Sequence, residues 1–275
     1  MVSGLSNNFL YSAVRVHVQF SNGVPADDKL RSGTGFFVQD AANRVVLVTN
    51  RHVLDLAYSD SRYIGLGMRP TQLKLELRTS DPATGRPDMR MEIAIADPPV
   101  HFAAAHSDDV ACVWPIIGAV QPAAAALSFH LSWELLATEE EFSTDNFIIG
   151  DLVGFPGYPE WYDAENFRPI LRTGSLASDP RYPYQYRKVT GNCLAYEAFS
   201  FGGSSGSPVF AFQRSIKVSA PLTNPGFRAV RVIGINAGHL AVESDADANL
   251  YKSHSGISYM FRSPTILAML KSLGT

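Results

Sequence analysis

The sequence has little cysteine and no hydrophobic run long enough to cross a membrane. Only two cysteines, Cys112 and Cys193, occur among 275 residues, whereas a secreted domain held by disulfides normally carries more. Both lie in apolar or strand-like contexts outside any glycine-rich turn, so we expect reduced core thiols rather than a disulfide or a catalytic cysteine. The longest apolar run, residues 110–120, is broken by Pro115 and is too short to span a bilayer.

The chain carries little net charge, and we expect it to have no N-terminal leader. Its formal net charge is −3, so no basic field favours nucleic acid or an anionic membrane as a partner. Residues 1–8 contain no charged segment followed by a long apolar stretch, which a signal peptide would require. We therefore expect a cytoplasmic protein without membrane or nucleic-acid partners, whose substrates and partners are proteins.

Alternating polar and apolar residues predict a chain made mostly of β-strands. A length of 275 residues suits one large β domain or two small ones. Period-two patterns and buried apolar runs predict strands at residues 13–20, 33–38, 44–49, 72–78, 89–95, 147–155, 230–239 and 254–261. After the last strand, Ser263-Pro264 is expected to cap an amphipathic C-terminal helix.

Two segments depart from this pattern. Residues 115–146 include an alanine-rich stretch and the acidic run Glu139-Glu140-Glu141, so we expect a partly helical connector with a solvated acidic face. Residues 181–188 interleave basic and aromatic side chains, a composition that can bind single-stranded nucleic acid. Because the segment is short and the protein is acidic, a surface β-hairpin is the better interpretation.

A turn rich in glycine and serine precedes one of the apolar strands. Its sequence, Gly202-Gly203-Ser204-Ser205-Gly206-Ser207-Pro208, runs straight into Val209-Phe210. Glycines in such a turn let backbone N–H groups converge on one point, where an anion can bind. A serine hydroxyl there becomes a nucleophile only when a base lies beside it and donors await the oxyanion. The rest of the chain must therefore supply a histidine and a carboxylate.

Candidates for both groups occur upstream of this turn. His52 follows a β-branched run, and Asp109 opens an apolar strand, which gives the chain order His, Asp, Ser. The cluster of His101, His106, Asp108 and Asp109 also raises a metal-site hypothesis. An irregular loop leading into a strand explains that cluster better, so we expect no metal.

Four motifs occur in chain order: Gly33-Thr34-Gly35-Phe36-Phe37-Val38, Thr49-Asn50-Arg51-His52-Val53, Asp109-Val110-Ala111 and Gly203-Ser204-Ser205-Gly206-Ser207-Pro208. Together they resemble trypsin-like serine peptidases, most closely the bacterial trypsin-like and HtrA-type peptidase domains. The resemblance extends from about Arg31 to the C-terminal helix. It implies an all-β fold of two six-stranded antiparallel β-barrels with a C-terminal helix. Residues 1–120 would form the first barrel, 121–146 a connector, and 147–275 the second barrel with the helix, as one peptidase unit.

The resemblance also implies a serine endopeptidase that needs no cofactor. Ser205 would be the nucleophile, His52 the general base and Asp109 the group that orients the imidazole. Asp109 matches the family pattern better than Asp108 because it directly precedes Val-Ala. Backbone N–H groups of Gly203 and Ser205 would bind the oxyanion. Ser204 and Ser207 stand where the family usually has Asp or Asn and a second glycine.

Substrate binding is implied for two other stretches. The edge of the strand at Asn236-Ala237-Gly238 would pair with the backbone of a protein or peptide substrate. Phe199 would floor the primary pocket, and because no acid stands there we expect a neutral residue, apolar or small, before the cleaved bond. His239 near the pocket wall keeps a Glu or Gln preference as an alternative. The aromatic residues Trp161, Tyr162 and Phe167 would either shape the cleft or pack their own loop.

One rival function belongs to a different class. A Gly-x-Ser-x-Gly esterase is excluded, since Ser207 stands where its last glycine would be. The serious alternative is a catalytically inactive or latent peptidase fold that acts as a protein-binding module. Retention of all three triad residue types argues against this alternative. Inside a cell, such a peptidase would need control by its cleft loops or by a regulatory protein partner.

Overall fold

The computed structural model describes residues 5–116, 127–187, 189–215, 226–242 and 253–273. These residues form two β-sheets and few helices, so the prediction of an all-β fold is confirmed. The helices are α1 (Asn7–Leu10), α2 (Arg51–Leu54), α3 (Leu56–Ser59), α4 (Glu139–Ser143) and α5 (Ser263–Ser272), with short 3₁₀ turns at Pro25–Asp27, Ser61–Tyr63 and Trp133–Leu135. Within the described residues, no helix is long and apolar enough to cross a membrane.

The N-terminal sheet brings together the first half of the chain. Its strands are β1 (Ala13–Ser21), β2 (Lys29–Gln39), β3 (Val45–Thr49), β4 (Arg69–Ser80), β5 (Pro87–Ala96), β6 (Val100–Phe102), β7 (Ala111–Val113) and β8 (Leu131–Ser132). They run in the order β5-β4-β1-β2-β3-β7-β6, and all these neighbours are antiparallel, while the two-residue β8 pairs in parallel with β2. The described sheet therefore has two strands more than predicted, and both additions, β6 and β8, are short.

The C-terminal strands close into a six-stranded antiparallel barrel, as predicted. They are β9 (Leu152–Gly157), β10 (Ile170–Leu176), β11 (Cys193–Glu197), β12 (Pro208–Ala211), β13 (Arg231–Val242) and β14 (Ser253–Arg262). The closed order is β10-β11-β14-β13-β12-β9. The second barrel thus begins at β9, after the connector, and ends directly before helix α5.

An apolar cluster joins the two sheets and the C-terminal helix. It combines Phe36 and Val48 of the first sheet with Phe210 and Phe261 of the second and Ile266 of α5. All five are buried, and burial of apolar surface contributes about 25 cal/mol per Å². The two sheets are therefore held side by side by a shared core, with α5 packed against their seam.

Both cysteines are buried thiols without a disulfide. Cys112 and Cys193 are free and belong to this shared cluster. Burial raises the pKa of the Cys112 thiol to about 12 and that of Cys193 to about 11. Both are therefore protonated at neutral pH, which makes them poor nucleophiles.

Two local expectations differ from the structure. The N-cap position of α5 is occupied by Arg262, whose side chain makes no capping bond, and Ser263 is already the first helical residue, with its hydroxyl donating to the Ala137 carbonyl at 2.7 Å. The acidic run opens α4, where Glu141 completes a capping box with Thr138 and accepts from Arg231 at 2.8 Å. The acidic run is therefore not only a solvated face, because Glu141 also binds Arg231 of β13.

Some predicted segments fall partly outside the described residues. Residues 117–120 of the apolar run and 121–126 of the connector are among these, as is Lys188. On either side of Lys188, Tyr186 and Val189 exchange two backbone hydrogen bonds of 3.0 and 2.9 Å, as a surface hairpin requires.

Truncating the core of the first sheet should destabilise the protein. Leu75 is fully buried in β4, where it pairs with Val16 of β1 and Ile93 of β5. We expect Leu75→Ala to lower the free energy of unfolding by about 2–5 kcal/mol, because it removes apolar contacts and leaves a cavity. Urea unfolding followed by tryptophan fluorescence would measure this loss. The control Leu30→Ala, at a side chain 83% exposed, should change it by no more than about 0.5 kcal/mol, and equal losses would contradict the assigned core.

Candidate active site

Pairing between β3 and β7 brings His52 and Asp109 together. Thr49, the last residue of β3, pairs with Ala111, the first of β7. Asn50 then leaves the sheet, and its buried side-chain amide donates to the Asp109 carbonyl at 2.7 Å. His52 follows in the first turn of α2, so the sheet edge and this amide fix both backbones.

The carboxylate of Asp109 binds His52 through both of its oxygens. Oδ2 lies 2.6 Å from the imidazole Nδ1, and Oδ1 accepts from the His52 backbone N–H at 2.8 Å. A carboxylate can only accept, so Nδ1 must carry the proton, and in neutral imidazole this leaves Nε2 as the acceptor. The arrangement holds the ring in the tautomer that a general base requires.

The neighbouring Asp108 is directed towards the second barrel. Its Oδ1 accepts from the Asn192 backbone N–H at 2.8 Å, and its Oδ2 accepts from the Thr265 hydroxyl at 3.0 Å. The two adjacent carboxylates therefore differ in role: Asp109 contacts the imidazole, whereas Asp108 links the loop before β7 to the second barrel and α5.

Of the three closely spaced serines, Ser205 is the accessible one. Ser204 and Ser207 are 1% and 0% exposed, whereas Ser205 is half-buried. In the described residues, the Ser205 hydroxyl donates to the Ala237 carbonyl at 3.4 Å rather than to His52. Ala237 in turn lines a cavity of about 360 Å³ together with His52 and Asp109. The hydroxyl therefore lies at the border of the cavity that contains the imidazole.

Several backbone amides of the serine turn have no protein acceptor among the described residues. Among the described residues, neither the Gly203 N–H nor the Ser205 N–H donates to a protein group, whereas the Ser204 and Gly206 amides do. Gly203 has a φ of +89°, which favours glycine, and a Cβ there would lie 2.4 Å from the Tyr158 carbonyl. Two free donors on alternate residues are what an oxyanion site requires.

The three residues expected at the substrate edge differ in what they can offer. Ala237 is an extra residue in β13, because the register with β14 shifts between Asn236 and Gly238. This bulge frees the Ala237 backbone from the ladder, and bulges of this kind often occur beside active sites. Gly238 is half-buried. Asn236 is fully buried, and its N–H, C=O and side-chain amide all bind protein groups.

Phe199 belongs to a cluster of rings beside the serine turn. It stacks on Phe201, with ring centroids 6.3 Å apart, and packs on His254 at 4.9 Å, while His254 stacks on His239 at 4.2 Å. Burial, followed by the nearby His239 and Arg172, lowers the pKa of His254 to about 4, and burial also lowers the pKa of His239. Both shifts favour neutral imidazoles, while the Arg172 guanidinium lies over the Phe201 ring at 4.7 Å and places a positive charge at the edge of the cluster.

The three aromatic residues of the loop after β9 divide between two roles. Trp161 packs edge-on against Phe201 at 4.6 Å, next to the serine turn. Tyr162 and Phe167 instead pack on Tyr158, and the Tyr162 hydroxyl accepts from Arg15 of β1 at 2.9 Å. The loop thus reaches the candidate site at Trp161 and the first sheet at Tyr162.

Sequence reasoning missed the residue that holds the serine turn from the first barrel. The Thr34 hydroxyl donates to the Gly203 carbonyl at 2.6 Å, and the Thr34 backbone N–H donates to the Ser205 carbonyl at 2.8 Å. The motif Gly33-Thr34-Gly35 was the available signal, but it gives no indication that its partner lies about 170 residues away.

Comparison with known structures supports the same fold. The chain is similar to the thermostable serine protease AL20 from an extremophilic microorganism, at 13% identity with a TM-score of 0.50 over 93% of both chains. It is also similar to the protease Anisep from Arthrobacter nicotinovorans, at 12% identity with a TM-score of 0.53 over 95% of this chain and 94% of that one. No protein-family model matches, and comparison with curated proteins finds no match. The fold is therefore the double β-barrel of trypsin-like serine proteases, as the sequence resemblance implied.

Replacing Gly206 should destabilise the serine turn. Gly206 has a φ of +93°, and a Cβ would lie 1.8 Å from the Thr34 carbonyl. We expect Gly206→Ala to lower the free energy of unfolding by about 2–4 kcal/mol, because it combines backbone strain with overlap. Denaturant unfolding would measure the loss. At Gly202 a Cβ meets nothing within 4 Å, so Gly202→Ala serves as the control, and a similar loss in both variants would contradict the explanation.

Proposed function

We propose that the protein is a serine endopeptidase that hydrolyses peptide bonds in proteins through an acyl-enzyme intermediate. The observation that carries this proposal is the pair of contacts from buried Asp109 to His52. Both residues line a cavity together with Ala237, whose carbonyl accepts from the Ser205 hydroxyl. Similar folds occur in the proteases AL20 and Anisep. Residues 1–120, 121–146 and 147–275 would act together as one peptidase unit.

The proposed reaction follows from these positions. Ser205 Oγ attacks the scissile carbonyl while His52 Nε2 takes its proton, and Asp109 stabilises the imidazolium that forms. The carbonyl oxygen becomes an oxyanion bound by the N–H groups of Gly203 and Ser205. His52 then gives the proton to the leaving amine, and a water attacks the acyl-enzyme in the same way to release the acid and restore Ser205.

One rotation must precede attack. The Ser205 hydroxyl has to turn from the Ala237 carbonyl towards His52. The bond that it leaves is long, at 3.4 Å, and a net hydrogen bond contributes only about 1 kcal/mol. The Ala237 carbonyl then becomes available to the backbone N–H of an extended substrate lying along β13, with Gly238 as its next contact.

The hydrogen bond from the Ser205 hydroxyl to the Ala237 carbonyl also favours a second candidate function, that of a latent or inactive peptidase fold. A serine bonded to Ala237 and not to His52 is what a latent enzyme or an inactive protein-binding module would show. In that case a regulatory protein partner would be needed to align the two groups. Catalytic hydrogen bonds are often absent without substrate, which is why we favour the endopeptidase.

Covalent labelling would decide between the two functions. We expect a fluorophosphonate probe to form a single adduct on the wild type, measured by intact mass, and none on Ser205→Ala. His52→Ala and Asp109→Asn should slow labelling by roughly 10³–10⁴.

The matched control for labelling is Ser204→Ala, which removes a buried hydroxyl without a hydrogen-bond partner and should leave the adduct in place. An adduct that persists in Ser205→Ala would move the nucleophile elsewhere. A wild type that never reacts would favour the binding module.

The ring cluster predicts which residue precedes the cleaved bond. Because Phe199 and Phe201 are apolar and the lowered pKa values of His239 and His254 favour neutral imidazoles, we expect peptides with Leu, Phe or Ala there to be cleaved at least about tenfold faster than those with Arg or Glu. Matched fluorogenic peptides would measure the ratios of kcat/KM. A preference for Glu or Gln that disappears in His239→Ala would overturn this expectation and assign the imidazoles as an acid-binding wall.

A further inference from the structure

We propose that Asn236 is the positioning residue that aims the Ser205 N–H at the oxyanion. This role rests on the proposed function, and it differs from the substrate contact expected from sequence. Asn236 lies fully buried in β13, behind the serine turn. Its side chain does not line the cleft, so its effect on a reaction must pass through the groups that it holds.

The side-chain amide of Asn236 has partners at both ends. Nδ2 donates to the Ser204 carbonyl at 2.8 Å and to the Ser200 hydroxyl at 2.9 Å, and Oδ1 accepts from the Tyr196 hydroxyl at 2.7 Å. A carbonyl can only accept, so the NH₂ end must face Ser204. Tyr196 then donates to the other end of the amide.

The Ser204 carbonyl and the Ser205 N–H belong to the same peptide group. In a trans peptide the C=O and N–H point in opposite directions within one plane. A hydrogen bond that fixes the carbonyl on the Asn236 side therefore directs the Ser205 N–H away from Asn236. Among the described residues this N–H has no protein acceptor. Asn236 thus sets the direction of a donor that remains free.

The peptide groups next to the Ser204–Ser205 peptide are held by different atoms. Thr34 binds the carbonyls of Gly203 and Ser205, as described above. The backbone of Asn236 accepts from the Gly206 N–H at 2.8 Å and donates to the Ser207 carbonyl at 2.9 Å. These bonds would survive replacement of the Asn236 side chain. A variant at this position should therefore leave the turn docked and loosen the Ser204–Ser205 peptide plane, whose carbonyl would keep only the longer bond from the Ser207 N–H at 3.2 Å.

Loosening that plane should affect the transition state more than substrate binding. The oxyanion forms only after attack, so a misdirected N–H lowers kcat while KM stays nearly constant. Removing an oxyanion donor outright costs about 10²–10³ in rate. For a donor that is present but poorly held, we expect a loss of about 10–100-fold.

The test compares two variants of Asn236 with variants of its other two partners. Asn236→Leu removes both ends of the amide, and Asn236→Asp keeps the acceptor for Tyr196 but places a carboxylate against the Ser204 carbonyl. The controls Ser200→Ala and Tyr196→Phe each delete one hydroxyl and leave the bond to Ser204 in place. Thermal unfolding by circular dichroism checks that all four are folded, and Asn236→Asp serves if Asn236→Leu is not.

The readouts are the rate of fluorophosphonate labelling, kcat and KM for a p-nitrophenyl ester, and inhibition by a peptide aldehyde. A peptide aldehyde forms a tetrahedral adduct whose oxygen occupies the oxyanion site. In the Asn236 variants we expect labelling and kcat to fall about 10–100-fold, KM to stay within about twofold, and the aldehyde to weaken in proportion to kcat. The controls should stay within about threefold of the wild type.

Three results would overturn the role. If folded Asn236 variants label at the wild-type rate, the role fails while the proposed function stands. If Ser200→Ala and Tyr196→Phe lose as much activity as the Asn236 variants, general disruption of the buried cluster explains the loss. If the wild type itself never reacts with the probe, the proposed function fails and the role fails with it.

Discussion

The turn that carries Ser205 consists almost entirely of glycine and serine, and hydrogen bonds from residues of both barrels hold it in place. Thr34 of the first sheet binds two of its carbonyls, and Asn236 of the second binds two others and one amide. The candidate site depends on this double attachment, because among the described residues the hydrogen bonds from the turn to the sheet that bears His52 and Asp109 are those of Thr34. Small residues allow it: at Gly206 even a methyl group would overlap the Thr34 carbonyl.

The two halves of the molecule supply different parts of the candidate site. The first sheet fixes the imidazole and its carboxylate through the pairing of β3 with β7, and the second barrel supplies the serine turn and the strand with the Ala237 bulge. A shared apolar cluster and helix α5 hold the halves side by side. At this seam Asp108 binds both Asn192 and Thr265, so the residue next to the proposed triad acid also links the barrels.

Much of the fold could be predicted from the sequence, because strands leave a local trace. The alternation of polar and apolar residues in β1 and β4 and the apolar runs of β13 and β14 are visible in the sequence, and each coincides with a strand of the structure. The pairing of His52 with Asp109 followed from motif order. Contacts between distant segments left no such trace, which is why the roles of Thr34 and Asn236 and the short strands β6 and β8 were missed. The predicted Ser263 cap was also wrong, since α5 begins one residue earlier than expected, at Ser263 itself.

The aromatic loop after β9 has a mechanical consequence for specificity. Tyr162 is tied to Arg15 on the first sheet, while the adjacent Trp161 rests on Phe201 in the ring cluster beside the serine turn. A small rotation of one barrel against the other would therefore be transmitted, within two neighbouring residues, to the ring that stands next to Phe199. If the protein is the peptidase proposed above, the width available to the side chain before the cleaved bond would depend on the angle at which the barrels meet.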